Sequence, residues 1–372
     1  MPEALSNLIV IAEQFEPRYR ILEICEFGSG NINETFLVTL DSLGNNHFVL
    51  QRLNTLVFRQ PELVMLNVRT ATAHAGRHLK RGPLDAGRRW EIPRVLLTAD
   101  GRDHWLDSDG SFWRAISFIE DARSFETIKD IDHASEVGYA LGVFHALLSD
   151  LSAGSLFDTL EGFHITPRYL RHYEKVLAGN KLAGSPEVDY CMRFIAERSS
   201  RGHILEDAIN RGALRLRPIH GDPKVDNIMM DTATGQAVSI VDLDTVKPGL
   251  VHYDIGDCLR SGCNPLGEET EQWETTYFDL DLCTAIMRGY FSTAKGFLAG
   301  NDFFYMYDSI RLIPFELGLR FFTDYMEGNV YFKVRHPEHN LARALVQFKL
   351  AESIESQEAA IRSMIRDLND AA

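Results

Sequence analysis

The first hundred residues are patterned for strands. "ETFLVTL" (34–40) and "HFVLQRL" (47–53) are rich in β-branched and aromatic residues and flank "DSLGNN", whose Gly44 and Asn45 suit a hairpin turn. "PELVMLNVRTATAHAGRHL" (61–79) begins with Pro61 and carries apolar residues at helical intervals, which predicts a helix packed on that sheet. "RVLLTADGRDHWLDSDGSFWRAISFIE" (94–120) then offers three short apolar runs separated by Asp and Gly turns. Beyond it the period changes. "ASEVGYALGVFHALLSDL" places Val137, Leu141, Phe144, Leu148 and Leu151 on one helical face, and the stretches 303–322 and 341–368 are also helical in pattern. Between these regions, "NIMMDTATGQAVSIVDLD" (227–244) reads as a second hairpin turning at "TATG", with acids at both ends.

Composition narrows the class without naming a chemistry. At 372 residues and 45% apolar content, the chain can bury one large or two modest cores. A formal charge of -15 argues against a nucleic-acid or anionic-membrane surface, since both need clustered Lys and Arg. The five cysteines form no Cys-x-x-Cys pair, so they predict reduced thiols rather than a zinc site. No apolar run approaches the ~20 residues of a bilayer span, and the N-terminus lacks a basic segment and a cleavage site. A soluble, cytoplasmic protein is expected, as monomer or homodimer, with no nucleic-acid or membrane partner.

The chemistry concentrates in "IHGDPKVDNIMMD" (219–231). Asp222 precedes Asn227 by five residues, and Asp242 lies just past the returning strand of the same hairpin. A hairpin brings its ends together, so the three should converge at one rim and present the hard oxygens that Mg²⁺ prefers. Acids crowded without a cation would repel one another. Turn capping explains an isolated Asp well, but it does not explain this spacing joined to this structural context.

"HGDPKVDN" with "VDLDT" resembles the catalytic and metal-binding motifs of the aminoglycoside phosphotransferase and choline kinase superfamily, distant relatives of protein kinases. "FGSGNINETFLV", "FVLQRLN", "WRAISFIE", "VDLDTVKPGLVHYDIGD" and "FELGLRFFTDYMEGNVYF" extend the resemblance to the N-acetylhexosamine 1-kinases, over about residues 20–350. The resemblance implies a two-lobed, kinase-like α+β fold that binds ATP and Mg²⁺ in its cleft. Residues 1–116 would form a β-rich lobe, 117–122 a hinge and 123–372 a mainly helical lobe. Asp222 would be the catalytic base and Asn227 and Asp242 the metal ligands. Asp244 ranks below these, because strand alternation would turn it away. His220 would orient the loop, and Asp254 and Asp257 would support it from within. Lys224, inside the loop, is a candidate phosphate or substrate contact.

On the nucleotide side, Gly28, Gly30, Asn31 and Asn33 make a phosphate-covering loop between two strands, with Asn33 where protein kinases carry a third glycine. Kinase-like folds place a Lys on the third strand, and here the candidates are Gln51 and Arg52, of which alternation lets only one face the phosphates. Glu62 is the nearest candidate for the helix acid that partners such a Lys. Phe118 and Glu120 lie in the hinge expected to bind adenine. For the acceptor, the resemblance points to Arg320 and Tyr331 at the acetamido group of an amino sugar and to His164 in a pocket wall, although Ile165 stands where an acid often follows that histidine. The expected reaction is ATP-dependent phosphorylation of a small-molecule hydroxyl, of an N-acetylhexosamine or related sugar at its anomeric oxygen. An aminoglycoside or amino-alcohol kinase is the enzymatic alternative, and a nucleotide-binding pseudokinase the alternative of another class.

Overall fold

The computed structural model describes residues 3–28, 32–42, 44, 46–81, 87–179 and 184–370, with side chains described from residue 7 onward. Helix α1 (Glu3–Glu13) precedes strands β1 (Ile21–Glu26), β2 (Glu34–Leu40) and β3 (His47–Arg52), then helix α2 (Pro61–Arg81) and strands β4 (Val95–Leu96), β5 (Trp105–Leu106) and β6 (Phe112–Ser117). These six strands form an antiparallel sheet ordered β1-β2-β3-β6-β4, with β5 pairing β6. Period-two alternation explains why the sheet has two unlike faces. Val38, Leu40, Phe48, Leu50, Trp113 and Ala115 point one way and pack under Ile11 and Ala12 of α1 and Phe15 just beyond it. Thr35, Val49, Gln51, Arg114 and Ile116 point the other way, into a cleft.

The helical region begins after β7 (Ala122–Arg123) with α3 (Ile131–Leu148), α4 (Thr166–Gly179), α5 (Pro186–Arg198) and α6 (Ile204–Asn210). Strand β8 (Arg217–Ile219), the hairpin β9 (Ile228–Asp231) and β10 (Ala237–Ile240), and β11 (Lys247–Gly249) follow, and then α7 (Val251–Gly262), α8 (Leu280–Ala294), α9 (Gly300–Met326), α10 (His339–Ser356) and α11 (Glu358–Asp370). Helices α3 and α8 meet backbone to backbone: a Cβ on Gly138 would lie 1.8 Å from the Ile286 carbonyl oxygen, and one on Gly289 1.9 Å from that of Ser135. Only glycine permits that approach, and β-branched or larger residues there would force the helices apart.

The two predicted hairpins and the helix starting at Pro61 are present, and Gly44 lies between β2 and β3, while Asn45 lies outside the described residues. Two features differ from the sequence reading. Helix α1 was not anticipated, although Leu8, Ile11, Ala12 and Phe15 follow an i, i+3, i+4, i+7 stripe. Helix α2 sinks its Val64, Met65, Val68, Ala71 and Ala75 into the core of the helical region rather than into the sheet's own core under α1. Among the described residues, no helix is long and apolar enough to cross a membrane.

Candidate active site

The cleft between the sheet and the helical region is about 1130 Å³, and Asp222, Lys224, Asn227, Asp242 and Asp244 all line it. Asp222 sits in the loop after β8, Asn227 ends a single 3₁₀ turn ahead of β9, and Asp242 follows β10. The Val241 amide donates to the Asn227 carbonyl at 2.9 Å and closes the open end of the hairpin, so its ends are brought together. Asp242 adopts left-handed backbone (φ 61), a conformation that Asp tolerates better than most residues, and this re-aims its carboxylate as the strand ends. The Asn227 Nδ2 donates to the Asp222 carbonyl at 2.7 Å. That bond fixes the amide and leaves its Oδ1 for a cation.

The loop is held from behind by three buried histidines and their acids. Asp254 accepts from the amides of His220 (2.6 Å) and Gly221 (2.8 Å) and pairs with His145 Nε2 (2.9 Å), which in turn meets the Tyr290 hydroxyl through Nδ1 at 2.9 Å. Burial works to raise the Asp254 carboxyl, but His145, His220 and the two amides outweigh it and hold it below the usual carboxylate range. Burial lowers His220 and keeps it neutral. Its Nδ1 accordingly accepts from the Asp222 amide (3.3 Å), while Nε2–H donates to the Val241 carbonyl (2.9 Å), tying the Asp222 loop to the strand that delivers Asp242. Gly221 has φ +88, and a Cβ there would lie 2.7 Å from the Thr245 carbonyl oxygen, so the turn before Asp222 requires glycine. The sequence expectation that His220, Asp254 and Asp257 are internal supports fits these positions, with Asp257 accepting from Arg260 Nε at 2.8 Å.

His164, expected in a pocket wall, is placed differently. It is 4% exposed in left-handed backbone (φ 63), and both ring nitrogens are engaged. Nδ1 meets Glu316 Oε1 at 3.0 Å and Nε2 meets the Gly221 carbonyl at 2.8 Å, and Thr166 donates to the other Glu316 oxygen at 2.6 Å. Burial opposes charge on this ring, but Glu316 overrides it and raises the imidazole, which therefore donates from both nitrogens.

Electrostatics in the cleft are set by crowded carboxylates. Enclosure by protein, followed by Asp244 and Asp222, raises the Asp242 carboxyl; its side chain is open to the cleft, so water moderates that push. Burial likewise raises Asp222, opposed by Lys224, whose Nζ lies 3.7 Å from Asp222 and 3.5 Å from Asp226. Asp222 keeps 31% of its side chain exposed, so its rise is also moderated. Asp222 is the largest influence holding the Lys224 ammonium above its ordinary value. Asp244, by contrast, is 3% exposed and committed: it accepts from Asn33 Nδ2 at 2.7 Å and forms an ion pair with Arg114. It lines the cleft with its charge already answered.

Strand register settles the choice on β3. Gln51 lies opposite Thr35 and Arg114 on the cleft face, donating to the Thr35 hydroxyl (3.0 Å) and accepting from Arg114 Nε (3.0 Å) and Nη2 (2.7 Å). Arg52 points to the opposite face and pairs with Glu34. The cation nearest the expected Lys position is thus Arg114, on the neighbouring strand, which the sequence reading missed. Its signal was a charged residue in the middle of the apolar run "SFWRAIS". Glu62 is exposed; α2 instead offers Met65, whose sulfur lies 3.9 Å from Arg114 Nη1.

Gly28 (φ +79) lines the cleft, whereas Gly30 and Asn31 lie outside the described residues. Asn33 spans the cleft mouth, with Nδ2 on Asp244 and Oδ1 accepting from the Asn54 amide at 3.0 Å, so both ends of its amide are occupied. Phe118 lines the cleft beside Phe27, ring centroids 5.8 Å apart. The Glu120 side chain turns to His47 (2.9 Å) and its carbonyl accepts from Arg89 at 2.6 Å. Arg320 is ringed by Phe163 (5.2 Å), Tyr169 (5.1 Å) and Phe332 (5.4 Å). Its i−4 neighbour Glu316 is taken up by His164 and Thr166, and among the described residues no carboxylate forms an ion pair with it. Tyr331 is 55% exposed, with its backbone pinned by Asp324 at 2.7 Å.

Solved structures similar to this chain share its fold along nearly its whole length. An aminoglycoside phosphotransferase from Alicyclobacillus acidocaldarius is 16% identical, with 96% of each chain covered and a TM-score of 0.63. A microcompartment-associated aminopropanol kinase is 16% identical, covering 96% of this chain and 98% of its own, with a TM-score of 0.59. A choline kinase from Cryptosporidium parvum Iowa II is 14% identical, covering 95% and 93%, with a TM-score of 0.57. The sequence pattern of the phosphotransferase enzyme family matches residues 23–285, a span that contains the sheet, the cleft and Asp222, Asn227 and Asp242. The chain belongs to that family, and its two-lobed α+β fold is the protein-kinase-like fold of small-molecule phosphotransferases.

Proposed function

We propose that this protein transfers the γ-phosphoryl group of ATP, with Mg²⁺, to the anomeric hydroxyl of an N-acetylhexosamine or related sugar. The observation that carries the phosphotransfer is the convergence of Asp222, Asn227 and Asp242 at the open end of one hairpin inside the cleft. Asp222 accepts the proton of the acceptor hydroxyl and holds its oxygen towards the phosphorus. Asn227 Oδ1 and the Asp242 carboxylate are hard oxygens of the kind Mg²⁺ takes, and the crowding that raises Asp242 is the repulsion a cation relieves. Bound there, Mg²⁺ would neutralise phosphate charge. Asp244 serves the site indirectly, by anchoring Arg114 and Asn33. Lys224 and Arg114 supply the positive charge along the phosphates, and Gln51 orients Arg114 rather than contacting charge itself. Residues 117–122 serve as the hinge between a lobe of residues 1–116 and one of residues 123–372, with Phe118 beside the nucleotide base.

Arg320 favours the sugar over a cationic acceptor. An aminoglycoside or amino alcohol brings an ammonium group, which a guanidinium without a carboxylate partner repels, whereas an acetamido carbonyl accepts its hydrogen bonds. Burial opposes charge on Arg320, yet Tyr169, Tyr331, Glu316 and Asp222 outweigh it and raise it. The deciding experiment measures ADP release from Mg-ATP over a panel of N-acetylhexosamines, hexoses, amino alcohols and aminoglycosides, with phosphorus NMR on the product. A sugar 1-phosphate is expected. Turnover confined to amines would overturn the acceptor assignment, and nucleotide binding without turnover on any acceptor would favour a pseudokinase.

A further inference from the structure

Helix α2 carries His74 and His78 one turn apart, and the i, i+4 spacing puts both rings on the same face. Opposite them stands Asp150, two residues past the end of α3. His74 Nε2 lies 2.7 Å and His78 Nε2 3.1 Å from the same oxygen, Asp150 Oδ1, and the ring centroids are 4.9 Å apart. Two imidazole nitrogens and a carboxylate oxygen thus converge within 4.8 Å of one another, the one such group among the described residues. This cluster lies outside the set that lines the nucleotide cleft.

We propose that His74, His78 and Asp150 bind one divalent transition ion of the zinc class and so tie α2 to the segment that follows α3. Imidazole nitrogen with one carboxylate suits Zn²⁺ and its neighbours rather than Mg²⁺, which wants oxygen alone. Bonds of about 2.0–2.2 Å to a tetrahedral ion require ligand atoms roughly 3.3 Å apart, so Asp150 needs to retreat by about half an ångström from His74 while the two imidazole nitrogens, within 4.8 Å of each other, close on the ion. It can do so, since its side chain is 60% exposed. His78 belongs to the last turn of α2, where the unpaired carbonyl groups of the helix favour a cation. Arg77 sets the apo tautomer. Its Nη2 lies 3.4 Å from His74 Nδ1 and can only donate, so Nδ1 accepts and Nε2–H faces Asp150. Metal binding moves that proton from Nε2 to Nδ1 and gives up the Arg77 contact. An ion here would tie α2, whose apolar face is buried in the core of the helical region, to the segment that follows α3.

The test uses the full chain, washed with chelator and titrated with Zn²⁺ in excess Mg²⁺ against a chromophoric competitor. One tightly bound Zn²⁺ per chain is expected, with visible absorption of four-coordinate geometry when Co²⁺ replaces it. His78→Gln and Asp150→Asn, both at partly open positions, should each weaken that binding roughly 10- to 100-fold. Zn²⁺ should raise the thermal midpoint of the parent chain but not of these variants. Arg77→Ala, which removes the competing donor, should bind Zn²⁺ more tightly. Equal Zn²⁺ binding by parent and His78→Gln would place any ion elsewhere and overturn the proposal, as would no binding by the parent chain.

Discussion

Replacing Arg114 by Met tests both how the cleft is built and what it holds. Arg114 is 1% exposed and Asp244 is 3% exposed, so neither charge has water to fall back on. Arg114→Met leaves Asp244 with the Asn33 amide alone and strips Gln51 Oε1 of two donors. Breaking a buried pair from one side costs about 3–5 kcal/mol, a large share of the 5–15 kcal/mol that holds a domain of ordinary stability. Asp244→Asn should also destabilise, since it leaves the guanidinium with only neutral acceptors. The double variant removes both charges, and it should be more stable than the sum of the single losses predicts by roughly 1–3 kcal/mol. Urea unfolding of the four proteins, followed by fluorescence, reads this coupling from the shift in midpoint at constant slope. Additive losses would mean that the pair is not formed in solution. Nucleotide affinity then separates framework from ligand. A charge-assisted hydrogen bond to phosphate contributes about 1.5–3 kcal/mol, so Arg114→Met should weaken ATP binding roughly 10- to 100-fold. Asp244→Asn frees the same guanidinium and should preserve ATP binding. Equal weakening by both variants would show Arg114 to be framework only.

Three other perturbations follow from the same geometry. Asp222→Asn should lower turnover about 10²- to 10⁴-fold while ATP affinity, by calorimetry, stays within a few-fold; parallel loss of both would remove Asp222 as the base. His164→Gln keeps one donor but cannot reach Glu316 and Gly221 together, so kcat should fall more than KM rises, and an unchanged kcat would show that the Gly221 carbonyl does not depend on it. Burial pushes the Glu206 carboxyl up to about 7, against the Tyr253 hydroxyl, which donates to Oε1 at 2.8 Å; among the described residues Oε2 has no hydrogen-bond partner. A carboxyl raised in the folded state contributes stability below its unfolded value near 4.5 and loses it as pH climbs through about 7. Glu206→Gln should therefore leave stability at pH 5 little changed and raise it at pH 8 by up to roughly 3 kcal/mol, and equal shifts at both pH values would refute the assignment.

Local patterns made the fold's outline and the loop that carries Asp222 legible, and what stayed hidden depends on contacts distant in sequence. The hairpin at 227–244 could be read because its turn, alternation and acids lie within one short stretch. Hairpin closure brings Asn227 and Asp242 to one end, and the bond from Asn227 Nδ2 to the Asp222 carbonyl adds Asp222. Gln51 and Arg52 could not be ranked from the strand alone, since either parity was allowed. The choice came from the register with β6, where Arg114 and Gln51 face each other 63 residues apart. His164 misled for the same reason. A histidine beside a phenylalanine suits a pocket wall, and only Glu316, 152 residues later, turns it inward to grip the loop.

The acids beyond those proposed for metal binding now have physical work. Asp254 draws in two backbone amides and a histidine, Asp257 holds Arg260, and Glu316 charges His164. Each acid is buried; Asp254 takes two backbone amides that a loop bent too sharply for helix or sheet hydrogen bonds would leave unmet, while Asp257 and Glu316 take side-chain donors. A loop that must present one carboxylate to a cleft cannot also bury its own amides in a ladder. Burying Asp254 behind it satisfies two of those amides and rigidifies the turn, and each buried acid is costly to remove singly because its partners would be stranded. A loop built this way concentrates acid on both sides of the backbone, the front set open to the cleft and the rear set neutralised. In this chain that division runs between Asp222 and Asp242 in front and Asp254 and Glu316 behind.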